Sequence, residues 1–216
     1  MRIGILGSGL MGGKLGTLFA RAGHGVVFSY SRSARRLKRL ASEAGRGARA
    51  GTPREAAEHA DVVLLAVHWN RMDDVLKQAG DLRGKIIITC SMPTKDDDSA
   101  LAIGHTTSGA EELAKKARRA CVVSAFGTVP SEVLFAVYET RRRKGRPALM
   151  FAGDDARAKK TVAALIQDLG FDPIDLGPLQ MARHMEPFTL LIAKIAYETD
   201  AGPAIAYRFE EYEERS

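Results

Sequence analysis

Met1-Arg-Ile-Gly-Ile-Leu-Gly7-Ser-Gly9-Leu-Met-Gly12 opens the sequence. A short apolar run ends in Gly-x-Gly-x-x-Gly, and beyond it Leu15, Leu18, Phe19 and Ala22 recur at helical spacing. A strand running through that glycine pattern into a helix is the fingerprint of a dinucleotide-binding fold. Gly7 permits the tight turn, Gly9 lets backbone approach a pyrophosphate, and Gly12 allows the helix to pack closely on the strand. Ser8, Leu10 and Met11 lie within the same turn, at the helix N-terminus that faces the phosphates. Gly13 and Gly16 read as packing glycines.

The second strand selects the cofactor. An acidic residue about twenty positions past the glycines would hold the ribose 2′-hydroxyl of NAD, whereas a cation there accommodates the 2′-phosphate of NADP. Here Val26-Val27-Phe28 ends in Ser29-Tyr30-Ser31-Arg32-Ser33, with Arg35 and Arg36 beyond and no acid in reach. Arg32 and Arg36 can pair with a phosphate, and Ser31 and Ser33 can hydrogen-bond it. Ser33 also reads as a helix cap. These residues predict NADP(H).

Working outward, Val- and Ile-rich runs alternate with amphipathic stretches, the pattern of a doubly wound, mostly parallel α/β sheet of Rossmann type. Strands are expected at about 2–7, 25–30, 47–50, 61–67, 85–90, 121–125, 147–152 and 171–175, and helices at about 11–22, 33–44, 53–59, 71–79, 109–119, 130–142, 154–169 and 179–200. Thr52-Pro53-Arg54-Glu55 is a capping box with proline at the first helical position, and the small apolar residues behind it predict a helix lying shallowly on the sheet. Residues 93–108 read as a long loop. The chain divides softly into a dinucleotide-binding domain at 1–126 and a smaller C-terminal portion at 127–216 that completes the sheet and the acceptor site.

In open parallel sheets ligands lie outside the carboxyl ends of the strands. Further cofactor-contact candidates are therefore Val67 and His68 after strand four, Ser91, Met92 and Pro93 after strand five, and Ala125 and Phe126 at the end of strand six. Trp69 is as readily a core cap. Ser91 to Pro93 and the Phe126-Gly127-Thr128 turn are expected to shape the nicotinamide pocket, with 104–108 bordering the acceptor.

Composition narrows the function classes. The 216 residues carry 32 Lys and Arg against 26 Asp and Glu, a formal charge of +6, clustered at 35–39 and 141–144. Few aromatics accompany them, so solvated helix faces or a small polyanion site fit better than nucleic acid. The five histidines lack metal-ligand spacing, and no metal is expected. Cys90 and Cys121 sit in apolar runs as small hydrophobes. No run nears the ~20 apolar residues of a membrane span, and the chain reads as cytoplasmic. The acidic tail at 210–214 is expected to be frayed or helical.

The sequence resembles the F420-dependent NADP reductase family, the NADPH:8-hydroxy-5-deazaflavin oxidoreductases, over nearly its whole length. The resemblance rests on Gly7–Gly12, Ser31-Arg32, Ala66-Val-His-Trp69, the segment 102–111, Val122-Val-Ser-Ala-Phe126, Ala152-Gly-Asp-Asp155 and Asp168-Leu-Gly-Phe171. It implies a deazaflavin (coenzyme F420) or flavin ring stacked on the nicotinamide, and hydride exchange between the two. Three positions depart from the family's usual residues: His68 replaces Pro, Met92 replaces Asn, and Gly127 replaces Asn. All three would sit near the second ring.

Hydride transfer between two ring cofactors asks little acid–base chemistry of a protein, so no general acid is nominated. An alternative is an imine or β-hydroxyacid-type reductase, groups that share the first loop but carry a larger helical second domain. Lys194 could mimic their catalytic lysine, yet no Asn follows it, and it reads as a surface residue. A second alternative is a module that senses NADP(H) without turnover. The apolar stretch 187–196 predicts a homodimer packed through its terminal helices.

Overall fold

A computed structural model describes residues 1–212. Eight strands form one sheet in the order β3-β2-β1-β4-β5-β6-β7-β8. They are β1 (Arg2–Leu6), β2 (Gly25–Ser29), β3 (Arg49–Ala50), β4 (Val62–Leu65), β5 (Ile86–Thr89), β6 (Cys121–Ala125), β7 (Ala148–Gly153) and β8 (Asp172–Asp175). Neighbouring strands are parallel except β6 and β7, which pair antiparallel through Val123 with Gly153 and Ala125 with Phe151. This is the doubly wound α/β arrangement that the alternating pattern predicts.

Both faces are covered by helices: α1 (Leu10–Arg21), α2 (Ala34–Ala44), α3 (Pro53–Glu58), α4 (Met72–Ala79), α5 (Gly109–Lys116), α6 (Leu134–Thr140), α7 (Ala156–Asp168) and α8 (Ala182–Glu198). Side chains alternate across a strand. Ile3, Ile5, Val62, Leu64, Ile88, Val123 and Phe151 accordingly join a core with α1, α6 and α7. Leu6, Val63, Leu65, Ile87 and Val122 join one with α3, α4 and α5. Because both faces are dry, the strands read as continuous apolar runs.

The observed elements differ from expectation where local chemistry intervenes. The third strand keeps two residues, since Gly45, Arg46 and Gly47 all take positive φ just before it. The sixth helix begins only at Leu134, after a turn containing Pro130. A short 3-10 turn, Trp69–Arg71, precedes α4, and another, Leu179–Met181, precedes α8. The Thr52 capping box forms as written, with the Thr52 hydroxyl accepting from the Glu55 N–H and the Glu55 carboxylate accepting from the Thr52 N–H. Its helix is not shallow, for Ala56 and Ala57 are buried and a β-carbon on Gly4 would meet the Ala56 carbonyl at 2.1 Å. Small side chains let backbone press on backbone. Residues 93–108 are the long loop expected, pinned by Thr94 to Asp98 and by Asn70 to Asp96.

The tail at 210–212 has no regular structure, and 213 and 214 lie outside the described residues. No helix among the described residues is long and apolar enough to cross a membrane.

Candidate functional site

Strand order reverses at β1. The chain leaves it toward β2 and β3 and returns on its other side at β4, so the loops leaving β1 and β4 part to open a crevice. Gly7 starts the β1 loop at φ +108°, a conformation side chains rarely adopt. Its N–H and that of Ser8 extend the pairing with β2, donating to the carbonyls of Ser29 and Tyr30. Gly12 packs so closely that a β-carbon there would stand 1.9 Å from the Gly7 oxygen, whereas one on Gly9 would meet nothing within 4 Å. That open space lies against the N-terminus of α1. The helix has no side-chain cap and no acid in its first turn, so its first N–H groups and dipole are free for an anion. A pyrophosphate fits this cradle.

The other loop residues divide. The Ser8 side chain is 1% exposed and donates to the Ser29 carbonyl, so its hydroxyl is structural. Leu10 is 66% exposed at the mouth. Met11 is half-buried against the core.

At the end of β2, Tyr30 turns through φ 55° and swings the chain into α2. The Ser31 hydroxyl accepts from the Ser33 N–H, and the Ser33 hydroxyl caps α2 by accepting from the Arg36 N–H. Both serines therefore shape the turn. Arg32 is exposed, and Arg36 keeps its Nε buried with no hydrogen-bond partner. Such an orphaned donor is a group that an added anion would satisfy. The Tyr30 hydroxyl donates to Asp74 at 2.6 Å. Partial burial, then that bond, push it to about 12, against the opposing charges of Arg71 and Arg32. Arg71, on the 3-10 turn after β4, is thus a cation on this side of the site that sequence reading missed. Its separation of 39 residues from Arg32 gave no signal.

The strand ends beyond the switch point form a second part of the site. Ser91 ties β5 to β4, accepting from the Val67 N–H and donating to the Leu65 carbonyl. Pro93 is buried against Gly109, and Met92 lines the crevice. His68 is exposed before the 3-10 turn and Trp69 packs half-buried on the second core. Ala125 and Phe126 are 1% and 0% exposed, and the Phe126 ring packs edge-on against Phe19 at 5.9 Å. Neither side chain lines the crevice. The turn instead brings Gly127 and Thr128 to the wall of a narrow crevice, open to solvent at one side, whose free space of about 10 Å³ is that of a single water.

The roof of that crevice is α8. Met185, Glu186 and Thr189 line it opposite Thr89, Cys90 and Ser124. Glu186 is buried and accepts the N–H groups of Gly109 at 2.9 Å and Ala110 at 3.1 Å, joining α8 to the first turn of α5. Beside it Arg183 grips Glu111 with two bonds of 2.7 and 2.8 Å, and holds that carboxyl below its ordinary range. Burial pushes Glu186 up to about 7, with the two N–H bonds pulling the other way and Glu111 adding a small upward push. Burial also pushes the Cys90 thiol up to about 12. Glu186 escaped sequence reading, although an acid set among Met185, Pro187 and Phe188 was a visible signal. Lys194 is a surface residue paired with Glu198.

Motifs particular to the family resemblance prove architectural. Asp155 caps α7 by accepting from Ala158, Asp154 accepts from Leu179, and Asp168 meets His24 at 3.1 Å. Ser108 caps α5 by accepting from Glu111.

Residues 2–93 match the model of a family described as coenzyme F420-dependent NADP oxidoreductases. The metalloreductase STEAP3 of Rattus norvegicus is 31% identical over 189 residues, 88% of this chain. The chain spans 36% of that relative's length. Among solved structures, a candidate F420-dependent NADP reductase from Arthrobacter sp. FB24 superposes with a TM-score of 0.85 and 23% identity, covering 98% of this chain and all of that one. A reductive aminase from Aspergillus terreus, in complex with NADPH4, cyclohexanone and allyl amine, gives 0.64 at 19% identity. It covers 91% of this chain and 60% of its own.

Proposed function

With residues 2–93 matching the coenzyme F420-dependent NADP oxidoreductase family, we propose that the chain binds NADP(H) at the Gly7–Gly12 cradle and reduces a ring acceptor, F420 or a flavin, outside the carboxyl ends of the strands. The observation that carries this reading is the pairing of an open cradle at Gly9 with an orphaned Arg36 donor, at the two ends where a pyrophosphate and a 2′-phosphate belong. Arg32 and Arg36 take the 2′-phosphate, with Arg71 as a further cation. The backbone of the glycine turn takes the pyrophosphate, while Val67, Ser91, Met92 and Thr128 border the nicotinamide. When bound, the dinucleotide supplies the hydride.

The protein's part is to hold two ring faces in near-attack contact and to keep water from between them. Cys90, Met92, Met185 and Thr189 provide half-apolar walls. Gly127 leaves room that an Asn would fill. A β-carbon there would already touch the Thr189 hydroxyl at 3.6 Å and the Cys90 carbonyl at 3.7 Å, so the gap is narrow.

Stopped-flow mixing of the protein and NADPH with F420, with FMN and with cyclic imines tests this reading. It predicts nicotinamide oxidation in step with bleaching of F420 or FMN. Turnover of imines alone would favour the reductive-aminase resemblance, and no turnover with any acceptor would leave a binding module. We further propose a homodimer through α8, where Leu191 and Tyr197 are more than half exposed. A monomeric mass at micromolar concentration contradicts it.

A further inference from the structure

We propose that Tyr30 is a specificity-determining residue of the nucleotide site, holding the Asp74 carboxylate on α4 so that Arg32 and Arg71 stay free for the 2′-phosphate; the inference rests on the NADP(H) reading above. It starts from the backbone. Tyr30 stands at φ 55°, in the left-handed region that favours glycine, at the turn between β2 and Arg32. A bulky residue held in that conformation points to a task for its side chain. The ring lies half-buried against the second core and reaches α4, where its hydroxyl donates to Oδ2 of Asp74 at 2.6 Å. Gln78, one turn further along the helix, donates to the same oxygen at 3.0 Å. The Tyr30 carbonyl accepts from the Ser8 N–H at 3.3 Å, so one residue joins the glycine turn, the Arg32 turn and α4.

These bonds keep Asp74 from the cations around it. Arg71 lies three residues before Asp74 and Lys77 three after, a spacing at which opposite charges on a helix pair. Among the described residues no ion pair joins Asp74 to either, and its oxygen goes to Tyr30 and Gln78 instead. The neighbouring Asp73 is taken up by Lys116 of α5. Arg32 and Arg71 both bear on the Tyr30 hydroxyl, which places a guanidinium from the turn after β2 and one from the turn after β4 on this side of the site. A carboxylate released among them would compete with a phosphate for the arginines and repel its charge. Phenylalanine at position 30 keeps the packed ring and removes only the hydroxyl.

The test measures NADPH and NADH binding by calorimetry, at low and at high salt, for wild type, Tyr30→Phe, Asp74→Asn and the double variant. Tyr30→Phe should bind NADPH about three- to fivefold more weakly, the scale of one exposed ion pair. Its NADH affinity should be unchanged, and the NADPH deficit should close at high salt. The double variant should return to wild-type affinity, because an amide carries no charge to compete with the phosphate. Asp74→Asn alone should bind NADPH at least as tightly as wild type, and since it keeps Tyr30 it tests the claim however Tyr30→Phe folds. The inference fails if Tyr30→Phe keeps wild-type NADPH affinity, loses both nucleotides equally, or is not rescued by Asp74→Asn, results that would leave Tyr30 a structural brace. Weaker NADPH binding by Asp74→Asn alone would also overturn it. A wild type that binds both nucleotides equally, or neither, would overturn the NADP(H) reading and this inference together.

Discussion

A β-carbon on Gly12 would stand 1.9 Å from the carbonyl oxygen of Gly7, while the neighbouring Gly9 has 4 Å of empty space where its β-carbon would be. The three glycines of one motif thus do separable work. Gly12→Ala forces helix and turn apart and should cost roughly 1–3 kcal/mol or more. Gly9→Ala, within about 1 kcal/mol of wild type, should fold normally yet lose about a hundredfold in NADPH affinity, because its methyl group fills the cradle. Thermal melts and calorimetric titration check both. Wild-type NADPH binding by Gly9→Ala would show that no phosphate approaches there.

Arg32→Ala should weaken NADPH by about 10- to 100-fold, the worth of one charge-assisted bond at ~1.5–3 kcal/mol, and leave NADH affinity unchanged. The selectivity is the point. Arg36→Met, which removes the orphaned Nε, should act the same way. Equal losses for both nucleotides would place these arginines elsewhere than on a 2′-phosphate.

Glu186 links stability to pH. Its native carboxyl is raised from the ordinary glutamate range to about 7, so between those values the native state binds more protons than the unfolded chain. Its contribution is full below about pH 4.5 and is lost as pH rises to about 7. The change across that window is at most about 3 kcal/mol. Urea unfolding at pH 5 and pH 8 should show the loss in wild type and not in Glu186→Gln. Parallel behaviour of the two proteins would contradict the burial argument.

Cys90 should be a poor nucleophile. With its thiol pushed up to about 12, iodoacetamide at pH 8 should alkylate it at least about a hundredfold more slowly than an exposed thiol. Mass spectrometry after timed quenching gives the rate, and modification at the rate of free cysteine would mean that α8 lifts off the crevice.

The dinucleotide half was legible because its signals are local. Gly7 to Gly12 sit next to each other, strand and helix periods change at the turn, and Arg32 follows the strand it serves. The second half was harder. Phe126 ends a strand, as a contact residue would, yet its positive φ turns its ring into the core against Phe19. The Ser8 and Ser31 hydroxyls point to backbone partners that no pattern reveals. Glu186 and Gly109 are 77 residues apart, and only the return of α8 across the strand ends brings them together. The helix at 187–196 read as a surplus apolar face, whereas Thr189 within it lines the crevice together with Met185 and Glu186 just before it.

The central claim is a site built for the extra phosphate of NADP(H), and wild-type protein titrated by calorimetry with NADPH and with NADH tests it most directly. NADPH should bind at least about tenfold more tightly, a difference of ~1.4 kcal/mol, shrinking as salt screens the arginines. Equal affinity for the two nucleotides, or none for either, would contradict the account.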